Sequence, residues 1–166
     1  MNTVKKLMIR KTNLIKAALP LVTLLTLACS GPLEKVSFTH PSEDVTVSVS
    51  LSSYDAFVTL IETEATFILT ITNARCSCTA DFMPHYDRFL SEYNIVGYTL
   101  EYTFVLYETE KYGLPVVDAN SPILTIYDAG VIKYSRSYKI GDANFNRTFT
   151  DYQALVQYLE ARIDVS

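Results

Sequence analysis

The 166-residue chain has no tryptophan, two histidines and three cysteines. Each scarcity excludes something. His40 and His85 lie far apart in the sequence, so a metal centre built on several imidazoles has no ligands to draw on. Three cysteines cannot form a framework of several bridges. The apolar run from Ala17 to Ala28 has 12 residues, short of the roughly 20 that a membrane-spanning helix needs. No phosphate loop, nucleophilic triad or paired-carboxylate constellation is present, nor any internal repeat or low-complexity tract. Basic residues are few beyond position 28. Five of the 14 lie before it, so the remainder sets nine basic residues against 18 acidic ones, a net charge of −9. Such a domain is a poor partner for nucleic acid or anionic lipid.

What is present begins with the leader. Lys5, Lys6, Arg10, Lys11 and Lys16 precede the apolar run with no acid among them. A basic stretch, a short apolar core and small residues before a cut site describe an export signal over residues 1–28. Leu-Thr-Leu-Ala-Cys-Ser, Leu25 to Ser30, resembles the lipobox of bacterial lipoproteins, with Thr26 where leucine is usual and Leu25 one place further out. The resemblance implies lipidation of Cys29 and attachment to a membrane from the extracytoplasmic side. The protein is then anchored rather than spanning, each buried methylene contributing about 0.8 kcal/mol. Outside the cytoplasm a disulfide can persist, and Cys76 and Cys78 are left to form one.

Residues 29–44, with Gly31, Pro32 and Pro41, read as a tether. A domain over 45–166 follows. Val45 to Leu51 alternates with period two, as a strand does. Ser52 and Asp55 have capping-box spacing before a helix carrying Phe57, Leu60 and Ile61 on one face. Thr66 to Thr72 is nearly unbroken and β-branched, the pattern of a strand buried on both faces. Phe82, Tyr86, Phe89, Leu90 and Tyr93 recur at helical spacing up to a stop at Asn94. Asp81, Asp87 and Glu92 fall on that helix's solvated face. Val96 to Val105 has strand composition, with Tyr98, Tyr102 and Tyr107 read as core packing, and Glu108 to Leu114 stays ambiguous. Pro122 opens a strand over Ile123 to Tyr127, and Asp128-Ala129-Gly130 turns tightly into another. Thr150 and Gln153 cap a last helix striped by Tyr152, Leu155, Val156, Leu159 and Ile163. Asn146-Arg147-Thr148 has the form of a glycosylation sequon only. The order β-α-β-α-β, link, β-β-α predicts an α/β fold, a central mixed β-sheet flanked by helices.

Two cysteines one residue apart, Cys76 and Cys78, lie between a buried strand and a helix. This placement resembles the thioredoxin-like family. Its helix-kinking proline, eight residues after the first cysteine, corresponds to Pro84. Its cis-proline corresponds to Pro122, 46 residues after Cys76, and its hairpin glycine to Gly130. The resemblance implies a thioredoxin-like fold from about Val45 to Ile163 and a site of Cys76, Cys78 and Pro122, with a cis peptide after Ser121. There are departures. The motif is Cys-Ser-Cys-Thr, with Thr79 at the resolving position and Cys78 one place early. Arg75 replaces the usual tryptophan, and Thr70 replaces the buried acid.

Cys76 at a helix N-terminus beside Arg75 is expected to be nucleophilic, because the free amides and the dipole favour a thiolate. A disulfide to Cys78 needs Cα atoms within about 7 Å, and so small a ring is expected to be easily reduced. The expected activity is thiol–disulfide exchange with exported protein thiols or disulfides, through an unknown redox partner, with no cofactor. Two alternatives stay open: a redox-silent binding domain, and Cu(I) handling by the two thiolates.

Overall fold

The computed structural model describes residues 33–41, 44–46, 48–105 and 122–166. Cys29, the leader, Tyr107, Glu108 to Leu114 and Ser121 lie outside them. Among the described residues no helix is long and apolar enough to cross a membrane. Among the described residues the elements run β1 (Val36–Phe38), β2 (Val49–Leu51), α1 (Tyr54–Glu62), β3 (Phe67–Thr72), α2 (Ser77–Tyr93), β4 (Gly97–Glu101), α3 (Tyr102–Val105), β5 (Ile123–Asp128), β6 (Val131–Ser137), α4 (Arg147–Thr150), α5 (Tyr152–Glu160) and β7 (Ile163–Val165).

The main sheet has the order β2-β4-β3-β5-β6. β2, β4 and β3 pair in parallel, and β5 and β6 continue antiparallel. β3 is central and buried along five of its six residues, as its unbroken apolar pattern predicts. Successive side chains divide between the faces. Ile68 joins Leu124 and Ile126 under α2, α4 and α5, with Phe82, Tyr86, Phe89, Leu90, Phe149 and Leu155. Phe67, Leu69 and Ile71 join Leu100, Ile123 and Tyr127 under α1 and α3, with Phe57 and Val105. Tyr98 and Tyr102 pack against this second cluster. A mixed sheet between helices is thus the architecture.

Local chemistry moves several expected boundaries. Ser53, not Ser52, caps α1, its hydroxyl accepting from Ala56 N–H at 3.2 Å. β2 is confined to Val49–Leu51, because Ser48 gives its N–H and hydroxyl to Asp87 at 2.9 and 2.7 Å. Asp87 therefore holds the entry to β2 rather than lying free in solvent. Glu92 is likewise engaged, by Arg88 at 2.7 Å and by the Tyr152 hydroxyl. β4 ends at Glu101 and the aromatic stretch after it turns helical, which lets Val105 reach the core. Asp151 rather than Thr150 caps α5, accepting from Ala154 N–H at 3.2 Å. Thr150 instead ends α4, a turn not expected from sequence, which buries Phe149. The sequon's Asn146 is 3% exposed and bonds both N–H and C=O of Lys139. The turn after β5 needs left-handed backbone at Ala129 and Gly130, with φ 49° and 75°. Asn94 ends α2 in the same conformation, at φ 47°, as residues with short polar side chains can.

The largest correction concerns the tether. Val36–Phe38 is a strand, paired in parallel with β7 from Val36↔Ile163 to Phe38↔Val165. Val36 and Phe38 are 3% and 4% exposed, so this segment belongs to the core. Its partner includes Ile163, which leaves the expected helical stripe for a strand. Three residues are too few to show a period, which is why the sequence alone reads as a link. Phe38→Ala is expected to lower unfolding stability by about 3 kcal/mol, measured by denaturant titration. A change within about 0.5 kcal/mol would return the segment to being a leash.

Candidate functional site

The site begins where β3 ends. Thr72 is followed by a tight loop, Asn73 to Arg75, that delivers Cys76 to the start of α2. Asn73 organises the loop. Its side-chain oxygen accepts from Arg75 N–H at 3.0 Å and its carbonyl from Cys76 N–H at 2.9 Å. Asn73 N–H in turn donates to the Thr79 hydroxyl at 3.2 Å. Thr79, which occupies the resolving position by sequence, therefore closes the loop onto the helix.

Cys76 is the N-cap residue of α2 and makes no side-chain capping bond. Its carbonyl accepts the first helical hydrogen bonds, from Thr79 at 3.1 Å and Ala80 at 3.5 Å. Cys76 and Cys78 are joined as a disulfide with Cα atoms 5.2 Å apart. That separation is inside the usual range for a bridge, and the first helical turn provides it. The two sulfurs have different surroundings. Cys76 is half-buried, whereas Cys78 is 8% exposed. Arg75 is exposed beside them.

Pro122 is buried at the same end of the sheet. β3 pairs with β5 through Ile71↔Ile123, so Pro122 lies one step beyond, alongside Thr72 and the cysteine loop. Its carbonyl accepts from Tyr138 N–H at 2.9 Å, which ties it to the end of β6. The described residues contain no cis peptide bond. The bond joining Ser121 to Pro122 includes Ser121 and lies outside them. Pro84 stands inside α2, exposed, where it leaves the Ala80 carbonyl without a helical partner. His85 lies on α2 with its ring 6.3 Å from that of Tyr152.

The floor of the site is the sheet face under α2. Thr70 pairs with Thr99, and Thr72 with Glu101. Thr70 is wholly buried on this face, next to the Tyr86 hydroxyl. Further down, the Tyr86 hydroxyl donates to Ile68 C=O at 3.1 Å, and burial pushes its pKa up. Glu101 is a site residue that sequence reasoning passed over. One carboxylate oxygen accepts from the Thr72 hydroxyl and the other from Ala74 N–H, each at 3.4 Å. The signal available in sequence was a lone acid at the end of an apolar strand.

No family model matches the chain, nor does any curated protein sequence. Solved structures do. A thioredoxin mutant from Halobacterium salinarum is 10% identical with a TM-score of 0.55, covering 76% of this chain and 99% of its own. Thioredoxin O1 from Arabidopsis thaliana in the oxidized state is 14% identical with a TM-score of 0.51, covering 71% and 99%. Oxidised thioredoxin from Plasmodium falciparum is 18% identical with a TM-score of 0.51, covering 68% and 95%. The expected thioredoxin-like fold is therefore the observed one.

The difference in exposure has a direct readout. After reduction, iodoacetamide is expected to label Cys76 several-fold faster than Cys78, followed by mass spectrometry over time. Equal rates would show that the two sulfurs are not distinguished.

Proposed function

We propose that this protein is a thiol–disulfide exchange protein, anchored through lipid on Cys29 at the extracytoplasmic face of a bacterial membrane and acting on exported proteins. The observation that carries the reading is the bridged Cys76–Cys78 pair at the start of α2, Cys76 half-buried and Cys78 buried. The thioredoxin fold and the position of Pro122 beside the loop support it. The leader and the lipobox-like Leu25 to Ser30 support the address.

The exchange is written from the oxidised state. A thiolate of the partner attacks Sγ of Cys76, the less buried residue of the pair. The Cys76–Cys78 bond breaks, and Cys78 leaves with the electron pair and takes up a proton. The partner is now held in a mixed disulfide with Cys76. Its second thiolate attacks its own bridged sulfur and expels Cys76 as thiolate. The partner has lost two electrons and become a disulfide, and the pair has gained them as a dithiol. Run backwards, the same steps reduce a partner disulfide. The uncapped positive end of α2 and Arg75 both stabilise the Cys76 thiolate, making it leaving group or nucleophile according to direction. Pro122 borders the surface on which the partner's backbone lies beside Cys76.

A second reading has one observation in its favour. Thr70 stands at the place of a buried acid and offers no carboxylate, which suits a redox-silent binding domain. Cys76→Ser is expected to abolish exchange with a reduced or oxidised model protein, while Cys78→Ser accumulates mixed disulfides on non-reducing gels. Equal residual activity in both variants removes the division of roles. Full activity of the double serine variant in the native cell would select the binding domain instead.

A further inference from the structure

Gly97, Thr99 and Glu101 share one face of β4. Gly97 identifies that face. A Cβ there would stand 2.5 Å from the Tyr86 hydroxyl and 2.6 Å from a Leu90 methyl, both on α2. The face is therefore the one α2 covers. α2 follows β3 and returns antiparallel to it, so Leu90 lies over the start of β4 and the first turn of α2 over its end. Glu101 ends β4. Its carboxylate is thus on the cysteine side of the sheet, at the level of the cysteine loop. The hydrogen bonds from Thr72 and Ala74 fix it there.

Other charged groups near the start of α2 are few among the described residues. Arg75 and Asp81 are exposed, and the β3 residues beside Glu101, Thr70 and Thr72, carry no charge. Arg75 makes no ion pair with Glu101 among the described residues. Cys76 is two residues beyond Ala74, which places its sulfur within about 13 Å of the carboxylate.

We infer that Glu101 is a positioning residue of the cysteine pair: it ties down the loop that presents Cys76, and its negative charge favours the disulfide over the dithiol. The inference rests on the exchange reading of the same site. Opening the bridge takes two electrons and two protons from a reductant such as dithiothreitol, whose two sulfurs close into a cyclic disulfide. To the extent that Cys76 of the reduced pair ionises, the site gains a negative charge. The oxidised pair bears no charge. A nearby carboxylate therefore opposes the reduced state alone. Through an effective dielectric between protein and water, one charge at this distance changes the equilibrium constant by about 2- to 10-fold.

The test is redox titration of the intact folded domain against dithiothreitol at neutral pH, for wild type, Glu101→Gln and Glu101→Ala, with the Cys76 thiol pKa read by ultraviolet thiolate absorbance in the reduced Cys78→Ser background. Glutamine keeps an oxygen to accept from Ala74 and removes the charge. Both variants are expected to favour the dithiol by about 2- to 10-fold, with the Cys76 pKa lowered and the difference shrinking in 1 M salt, where screening acts within about 3 Å. If Glu101→Gln titrates like wild type while Glu101→Ala moves, Glu101 is only a brace and the charge argument is overturned. A wild-type pair that dithiothreitol cannot open in the folded domain overturns the exchange reading itself.

Discussion

The approach of Tyr86 to the bare backbone at Gly97 fixes the rest of this molecule. The Tyr86 hydroxyl reaches through the layer between helix and sheet to the carbonyls of Ile68 and Tyr98, at 3.1 and 3.4 Å. It can do so because residue 97 has no side chain. Around that contact Phe82, Phe89 and Leu90 are wholly buried, each worth about 1.5–3 kcal/mol of transfer free energy. The register of α2 on the sheet is set by these four residues. With the register set, α2 begins where β3 ends, and its N-cap residue stands at the end of the sheet's central strand. Cys76 is that residue. Its position is thus a consequence of packing nearly three helical turns away, at about 3.6 residues per turn.

Both faces of the sheet are packed with aromatic rings. Under α1, Phe67 stacks on Tyr127 at 4.5 Å and Phe57 stands edge-on to Tyr127 at 5.9 Å, and burial pushes up the pKa of the Tyr127 hydroxyl. Under α2, Phe82 stacks on Tyr86 at 5.6 Å and meets Phe149 edge-on at 5.1 Å. The faces differ at the end where the cysteines lie, because Glu101 ends β4 on the α2 side.

Much of this was legible in the sequence because long elements impose their period. β3, α2 with its stop at Asn94, and the β5–β6 hairpin stand where their patterns put them. The cysteine pair stands between β3 and α2, and Pro122 precedes β5 at the same end of the sheet. What stayed hidden was short or depended on remote partners. β1 and β7 have three residues each, and their pairing joins the two ends of the domain, which no local window contains. The helical turn after Glu101 overrode a β-prone composition because Val105 has a core to enter. Glu101 itself could not be singled out, since its role comes from the hydrogen bonds of a loop 27 residues earlier.

The strand Val36–Phe38 gives the front of the domain no slack. It is zipped to the last strand, and just ahead of it the Tyr134 hydroxyl grips the Glu34 carbonyl at 2.5 Å. Any pull on the chain ahead of Glu34 is therefore felt at once by Val36 and Phe38, inside the main core.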